Sequence, residues 1–292
     1  MIVRVPASSA NLGPGFDCFG IAWKLYNDIE FIPGGDGLKI TGCPEKYCNE
    51  DNLCYRAYRA TLDYCNLKAE PLQINFLKNE IPISRGLGSS AALIVGGVIA
   101  ANEIHKLHLK KEELLSIATK IEGHPDNIAP ALFGGFTASA LADGKALSVS
   151  YPLSKNLKFT AVIPDFELST ELSRSVLPNM VSKADAVFNI SRSALLIKAL
   201  EEGDTSLIST ALQDKIHQSY RFKLISGFEE VKTAALSCGA AGICISGAGS
   251  TLLCISDFDG FTQKLRENLV KLFPSWKFIS VECDFSGAVI SE

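Results

Sequence analysis

Residues 82 to 92 read Pro-Ile-Ser-Arg-Gly-Leu-Gly-Ser-Ser-Ala-Ala, and they run directly into a small-residue segment that extends to Asn102. Gly86 and Gly88 permit backbone angles and close approaches that larger residues obstruct. The two serines follow at the point where a helix is predicted to begin. Because a helix N-terminus carries unpaired N–H groups and a partial positive charge, this stretch favours a phosphate-binding turn, with an ordinary serine-capped helix as the alternative.

This stretch differs from the two best-known nucleotide fingerprints. It lacks the Gly-Lys-Ser/Thr ending of a P-loop, and Ala91 stands where Gly-x-Gly-x-x-Gly has its third glycine. The missing second fingerprint disfavours an oxidoreductase that uses a dinucleotide. Both readings of the turn, a phosphate site of another kind and an ordinary capped helix, therefore stay open on these residues alone.

The whole eleven-residue stretch resembles the ATP-binding motif of the kinase family that contains galactokinase, homoserine kinase, mevalonate kinase and phosphomevalonate kinase, the GHMP kinases. Both glycines, both serines and the alanines fall in register with that motif. The resemblance implies that the full loop binds ATP. The residues of this loop are Pro82, Ile83, Ser84, Arg85, Gly86, Leu87, Gly88, Ser89, Ser90, Ala91 and Ala92.

A second turn-rich segment, residues 6 to 17, reads Pro-Ala-Ser-Ser-Ala-Asn-Leu-Gly-Pro-Gly-Phe-Asp. Taken alone, its polar side chains could simply satisfy turn hydrogen bonds. The segment resembles the first motif of the same family, in the form found in homoserine kinases. That resemblance implies that Asn11 and Asp17 hold an amino-acid substrate, with Asp17 pairing with its ammonium group and Asn11 helping to align its hydroxyl.

The run from Glu122 to Gly135 continues the resemblance. It implies that Glu122 and Ser90 coordinate Mg²⁺, a cation that prefers oxygen ligands and few protein contacts. Mevalonate kinases and galactokinases carry a catalytic aspartate where this chain has Asn127. Since an amide is a poor base, Asn127 is expected to orient the substrate hydroxyl. Catalysis by Asn127, Glu122 and Ser90 would then depend on positioning, which can supply roughly 7–11 kcal/mol, rather than on a general base.

Two arginines complete the expected substrate site. Arg174 lies in a segment that resembles the family's Ser/Thr-x-x-x-Arg-x-x-Leu-Pro pattern, and Arg221 lies in one that reads His-Glu-x-x-Arg in many homoserine kinases. The resemblance implies that both bind the substrate carboxylate, for which a guanidinium fork is suited. Gln218 replaces the usual glutamate beside Arg221. Residues 239 to 252 resemble the family's third motif, which borders the active site.

Composition is consistent with a small-molecule enzyme. The 292 residues are 47% hydrophobic, enough for a sizeable core, and 28 Lys and Arg against 32 Asp and Glu form no basic run that would favour nucleic acid. Neither a signal peptide nor a membrane span is expected, so cytoplasmic residence is predicted. The nine cysteines include no Cys-x-x-Cys pair, which favours free thiols over disulfides or zinc.

The resemblance implies an α+β GHMP kinase fold with two lobes. Residues 1–152 would form an N-terminal lobe, like domain 2 of ribosomal protein S5, that binds ATP and Mg²⁺; residues 153–292 would form a ferredoxin-like substrate lobe. No Gly/Ser-rich linker separates them, so a shared interface is expected. The sequence patterns predict helices at 53–62, 91–102, 111–121, 184–200, 206–211 and 257–272, with strands including 2–5, 27–32, 72–77 and 277–282.

The resemblance implies the ATP-dependent phosphorylation of L-homoserine on its side-chain hydroxyl, a step towards threonine. A homodimer is a further expectation from the family, and neither nucleic acid nor membrane is an expected partner. Another family alcohol, such as mevalonate, is the first alternative, and Asn127 and the two arginines disfavour it. A catalytically silent relative that senses a metabolite is the second alternative. Intact Ser90 and Glu122 disfavour it.

Overall fold

Strands and helices are interspersed along the chain, whose computed structural model describes residues 1–291. In that range the strands are β1 (Ile2–Ala10), β2 (Phe19–Pro33), β3 (Leu38–Thr41), β4 (Leu72–Asn79), β5 (Phe136–Ala142), β6 (Lys145–Tyr151), β7 (Lys158–Ile163), β8 (Gly242–Ile245), β9 (Leu252–Ser256), β10 (Lys277–Val281) and β11 (Val289–Ser291). The α-helices are α1 (Leu53–Tyr64), α2 (Ser89–Ile104), α3 (Lys111–Glu122), α4 (Pro125–Phe133), α5 (Thr170–Ser175), α6 (Lys183–Glu202), α7 (Thr205–Ala211), α8 (Gln218–Arg221), α9 (Phe228–Cys238) and α10 (Phe261–Leu269). The mixture confirms the predicted α+β class.

The long strand β2 is the centre of a seven-stranded sheet. It pairs antiparallel with β1, β4 and β5, while β6 continues from β5 and β3 lies parallel to β4. The last strand, β11, returns to pair antiparallel with β1. The division into lobes at residues 152 and 153 stays a prediction, and this final strand belongs to the first sheet although it lies after that point.

The second sheet has four antiparallel strands in the order β10-β7-β9-β8. Helix α9 leads into β8, and α10 joins β9 to β10. Strand β7, α9, strands β8 and β9, α10 and β10 together follow the βαββαβ pattern of a ferredoxin-like lobe, with α5 to α8 inserted after β7. This arrangement agrees with the expected C-terminal half.

A continuous hydrophobic core joins the two sheets. Phe31 and Val95 of the first half belong to the same buried cluster as Phe159 and Leu253 of the second. The rings of Trp23 and Phe159 lie 5.0 Å apart between their centroids. Because apolar side chains from both halves exclude water together, the two halves pack directly on each other, as the lack of a linker predicted.

Helix α2 places the phosphate loop against the core. It is largely buried and packs against β1, α1, α3 and α4. A Cβ atom on Gly97 would lie 2.1 Å from the carbonyl oxygen of Cys54, so α1 and α2 approach more closely than a side chain at position 97 would allow. Among residues 1–291, no helix is both long and apolar enough to span a bilayer.

The observed elements differ from the predicted ones at several ends. Strand β1 continues to Ala10 instead of ending at Val5, because a register shift at Pro6 and Ala7 lets the sheet accommodate the proline. Helix α5, which carries Arg174, is capped by Ser169, whose Oγ accepts from the N–H of Leu172. The predicted helix 257–272 was too long, since α10 spans only Phe261–Leu269.

Candidate active site

The three motif segments meet at the end of β1. The backbone N–H of Ser8 donates to Leu87 O of the phosphate loop at 3.2 Å. Two residues later, Ala10 O accepts from the N–H of Gly247, in the third motif, at 2.9 Å. One strand end therefore fixes two loops that are more than a hundred residues apart in sequence.

The phosphate loop presents the open N-terminus of α2. Gly88 occupies the N-cap position with φ +70°, and no side chain caps the helix. A Cβ at Gly88 would lie 2.1 Å from Ser8 Oγ and 3.2 Å from Asn127 Oδ1, so glycine is required by both backbone angle and space. With no acidic residue in the first turn, the helix end favours an anion.

A cavity of about 350 Å³ adjoins this helix end, which is within the size range of small-molecule sites. Ser84, Ser89 and Ser90 line the side that belongs to the phosphate loop. Apolar side chains also line it, among them Pro44, Tyr47, Leu53, Phe76, Ile81 and Leu93. The cavity thus combines hydroxyl groups suited to phosphate with apolar surface suited to a flat ring. Asn52 lies on its wall and is the N-cap of α1, with its Oδ1 accepting from Cys54 N at 2.9 Å.

Ser90 and Glu122 are in direct contact. Ser90 Oγ donates to Glu122 Oε2 at 2.6 Å, joining the first turn of α2 to the last residue of α3. Burial raises the pKa of the Glu122 carboxyl. In residues 1–291 no cationic side chain forms an ion pair with it, and no group of three or more His, Cys, Asp or Glu side chains could hold a metal. One carboxylate and one hydroxyl suit a cation whose remaining ligands are phosphate and water.

Asn127 is oriented by a serine of β1. Ser8 Oγ donates to Asn127 Oδ1 at 2.9 Å, which leaves the amide hydrogens on Nδ2 to donate to another group. The preceding Asp126 is 3% exposed, and its Oδ1 accepts from the N–H of Asn127 at 3.0 Å. Burial, and then the nearby charge of Asp17, raise the pKa of Asp126 to about 7. Its carboxyl therefore serves the local backbone at the start of α4.

Asp17 and Arg174 form a two-pronged ion pair. Arg174 Nη2 donates to Asp17 Oδ1 at 2.5 Å and Nη1 donates to Oδ2 at 3.2 Å. The two side chains are 31% and 32% exposed, so water and solutes reach them. The sequence assigned these residues to different groups of one substrate, whereas here they bind each other across 157 positions of chain.

The aromatic ring of Phe16 lies close to both arginines. The guanidinium carbon of Arg174 is 5.4 Å from the ring centroid and that of Arg221 is 5.1 Å from it. The ring also stacks on His217 at 5.2 Å. A negative π face lowers the repulsion between neighbouring guanidinium groups. Sequence reasoning missed this residue, whose only signal was its position next to Asp17.

Arg221 is a buried cation without a carboxylate partner. It is 1% exposed, its Nε donates to Ser173 O at 3.2 Å, and its Nη1 donates to Gly247 O at 3.1 Å. No carboxylate within residues 1–291 forms a salt bridge with it. Burial, and then the charge of Arg174, lower its pKa to about 10. A buried guanidinium held by carbonyl groups and by the neutral rings of Phe16 and His217, with no anionic partner in the described residues, favours an incoming anion.

Asn11 lies behind Asp17. It is 5% exposed; its Nδ2 donates to Gly247 O at 3.0 Å, and its Oδ1 accepts from the N–H of Asp17 at 2.8 Å. Both residues have positive φ, at 58° and 54°. Asn11 therefore fixes the turn that presents the Asp17 carboxylate. Whether it also contacts a substrate stays a prediction.

Gln218, which replaces the glutamate found in many homoserine kinases, hydrogen-bonds to backbone groups near Arg221. The Gln218 amide donates to Leu212 O at 3.1 Å and accepts from Ile245 N at 3.0 Å, so it braces the backbone and not the arginine. His217 is buried, and its Nε2 contacts Gly13 O at 2.7 Å. Burial lowers the pKa of His217 to about 4, which keeps the ring neutral and agrees with a packing role.

Two family models match the chain. The model described as the N terminal domain of GHMP kinases matches residues 52–135, and the model described as their C terminal region matches residues 196–271. The first range contains the phosphate loop, Glu122 and Asn127. The second contains Arg221 and the third motif.

Relatives are similar to the chain over its whole length. A homoserine kinase of Clostridium beijerinckii is 45% identical over 292 residues, covering 99% of this chain and 98% of that protein. One from Clostridium botulinum is 44% identical over 290 residues, covering 99% and 97%. Among solved structures, the homoserine kinase of Cytophaga hutchinsonii is 30% identical with a TM-score of 0.88, over 99% of this chain and 96% of that one. The mevalonate kinase of Methanococcus jannaschii, at 18% identity and a TM-score of 0.72 over 97% of this chain and 98% of that one, shares the fold.

Proposed function

This chain belongs to the GHMP kinase family, and we propose that it transfers the γ-phosphoryl group of ATP to the side-chain hydroxyl of L-homoserine. The products are ADP and O-phospho-L-homoserine, a step towards threonine. The observation that carries the proposal is full-length identity of 42–45% to homoserine kinases. The charges gathered at Phe16 support the same substrate, because they suit a zwitterion.

The substrate binds by exchanging partners with the Asp17–Arg174 ion pair. Two guanidinium groups and one carboxylate leave an excess of one positive charge beside Phe16. L-Homoserine brings one carboxylate and one ammonium group. Asp17 takes the ammonium, and Arg174 and Arg221 take the carboxylate, so every charge gains a partner. Mevalonate has a carboxylate but no ammonium group. Its carboxylate would take Arg174 from Asp17 without supplying a replacement cation.

Asn127 aligns the hydroxyl with the phosphate. Since Ser8 donates to Asn127 Oδ1, the Nδ2 hydrogens donate to the substrate oxygen and turn a free lone pair towards the γ-phosphorus. Asn11 supports this alignment by holding Asp17. The loose transition state of phosphoryl transfer develops little charge on the nucleophile, so orientation matters more than early removal of its proton. The absence of a base at position 127 is compatible with this chemistry.

The phosphate loop holds the triphosphate, and Ser90 with Glu122 would hold Mg²⁺ beside it. The N–H groups at the start of α2 bind phosphate oxygens, while the apolar side chains that line the cavity receive the adenine ring. When bound, Mg²⁺ would neutralise negative charge on the triphosphate. The partly buried Glu122 carboxylate, which lacks an ion-pair partner in the described residues, fits this role.

Turnover of a panel of alcohols tests the proposed function. ADP release with Mg-ATP is measured for L-homoserine, L-serine, L-threonine and mevalonate, and the phosphorylated product is identified by mass. We expect selective turnover of L-homoserine, because the full-length relatives that are 42–45% identical to this chain are homoserine kinases. Preferential turnover of mevalonate would discard the roles of Asp17, Arg174 and Arg221, and no turnover of any alcohol would favour a metabolite sensor. Homodimer formation and cytoplasmic residence stay predictions.

A further inference from the structure

Two cysteine side chains, Cys43 and Cys48, lie in contact outside the phosphoryl-transfer site. Their sulfur atoms are 3.6 Å apart. Cys48 is exposed to solvent and Cys43 is partly buried. Within residues 1–291, which include all nine cysteines, this is the only pair of thiols in hydrogen-bond contact. An oxidant in solution can therefore reach one member of a pair that is already close together.

One member of the pair lines the cavity that we assign to the nucleotide. Cys43 lies on its wall with Pro44 and Tyr47, whereas Cys48 does not line it. The residues between the cysteines form a tight turn in which Cys48 N donates to Glu45 O at 2.9 Å. Any tightening of the turn consequently moves residues that face the nucleotide.

We propose that Cys43 and Cys48 form a reversible disulfide that weakens nucleotide binding. Hydrogen peroxide is the oxidant. Cys48 loses its proton, its thiolate attacks one oxygen of the peroxide, the O–O bond breaks, and the departing hydroxide takes up a proton, so that Cys48 sulfenic acid and one water form. Cys43 then loses its proton as its sulfur attacks the sulfur of Cys48; the S–O bond breaks, and the departing hydroxide takes up that proton as the second water. Two thiols are oxidised and one hydrogen peroxide is reduced to two waters. Cys48 reacts first because it is exposed, whereas burial raises the pKa of Cys43 to about 12.

The Cys43–Cys48 disulfide changes the shape of the cavity wall. A disulfide requires sulfurs about 2.05 Å apart, so the pair must approach by roughly 1.5 Å from its present 3.6 Å. Tyr47 O accepts from Asn52 Nδ2 at 2.9 Å, which links the turn to the cap of α1. The movement is therefore passed to both Tyr47 and Asn52, which line the cavity. If the disulfide weakens nucleotide binding, then bound nucleotide must disfavour the disulfide by the same free energy.

Oxidation of the full-length protein tests the inference. Reduced protein is treated with hydrogen peroxide, the Cys43–Cys48 bond is identified by peptide mapping, and Mg-ATP binding is measured by calorimetry before and after. We expect at least about a 5-fold weaker affinity after oxidation, restored by dithiothreitol, and a smaller disulfide fraction at equilibrium in a glutathione redox buffer when Mg-ATP is present. Binding of Mg-ATP needs no acceptor alcohol, so failure here is distinguishable from failure of the homoserine assignment.

Two variants complete the experiment. Cys48→Ser should bind Mg-ATP as the reduced protein does and show no response to peroxide. Cys65→Ser, at the end of α1, should respond like the unmodified protein. If peroxide produces no Cys43–Cys48 bond, or if the bond forms without changing Mg-ATP affinity, the inference is wrong. An equal loss of affinity in peroxide-treated Cys48→Ser would also overturn it.

Discussion

Replacing Arg174 with alanine is expected to raise the KM for L-homoserine on the order of 10²-fold while the KM for ATP changes by less than about twofold. The guanidinium lies beside Asp17 and Phe16 and does not line the cavity next to the phosphate loop. Its removal takes one of two cations from the substrate carboxylate. It also leaves Asp17 without its partner.

A truncated substrate separates these two effects. 3-Aminopropan-1-ol has the hydroxyl and amine of L-homoserine but no carboxylate, so Arg174→Ala should reduce its turnover much less. Arg4→Ala is the matched control, because Arg4 makes a similar two-pronged pair with Asp28, at 2.8 and 2.9 Å, at the far end of β1. It should leave both KM values unchanged. Equal increases in the KM for L-homoserine and for ATP in Arg174→Ala would refute the carboxylate assignment.

Replacing Glu122 with glutamine is expected to lower kcat on the order of 10³-fold, since a metal ion contributes several kcal/mol of charge stabilisation to the transition state. The amide preserves size and accepts from Ser90 Oγ, but it provides no negative charge for Mg²⁺. Because burial raises the pKa of Glu122, the charged form is costly to bury, and the variant should unfold at the same temperature or higher.

A magnesium titration identifies the cause of the loss. In Glu122→Gln, raising the Mg²⁺ concentration should recover part of kcat, because the remaining ligands still bind the ion weakly. Glu112→Gln, in the exposed first turn of the same helix, should retain normal kcat and normal magnesium dependence. Near-normal turnover by Glu122→Gln at low Mg²⁺ would exclude Glu122 as a metal ligand.

The parts of the fold that the sequence predicted are those with regular hydrophobic spacing. Helix α3 and strand β4 were predicted to within two residues, because their apolar positions recur at helical and strand periods. Helix α4 was missed, since Pro125 and Pro130 indicate a turn. Pro125 occupies the first helical position, where no N–H is needed. Local composition does not distinguish that position from a loop.

The site was predictable as a set of motifs and not as a set of contacts. Family resemblance named Ser90 and Glu122 together, and they are in contact. The pairing of Asp17 with Arg174 and the placement of Phe16 were not predicted. Both depend on packing that brings the first motif against α5 and α8, over more than 150 residues of intervening chain. The proximity of Cys43 to the cavity assigned to the nucleotide also depends on tertiary packing, so the sequence did not indicate it.

The exchange of ion-pair partners is the central claim about this site, and a crystal structure with L-homoserine, Mg²⁺ and a non-hydrolysable ATP analogue tests it most directly. We predict that Asp17 will bind the ammonium group, that Arg174 and Arg221 will bind the carboxylate, and that the hydroxyl will lie between Asn127 and the γ-phosphate. An intact Asp17–Arg174 pair, with L-homoserine bound elsewhere, would contradict the account.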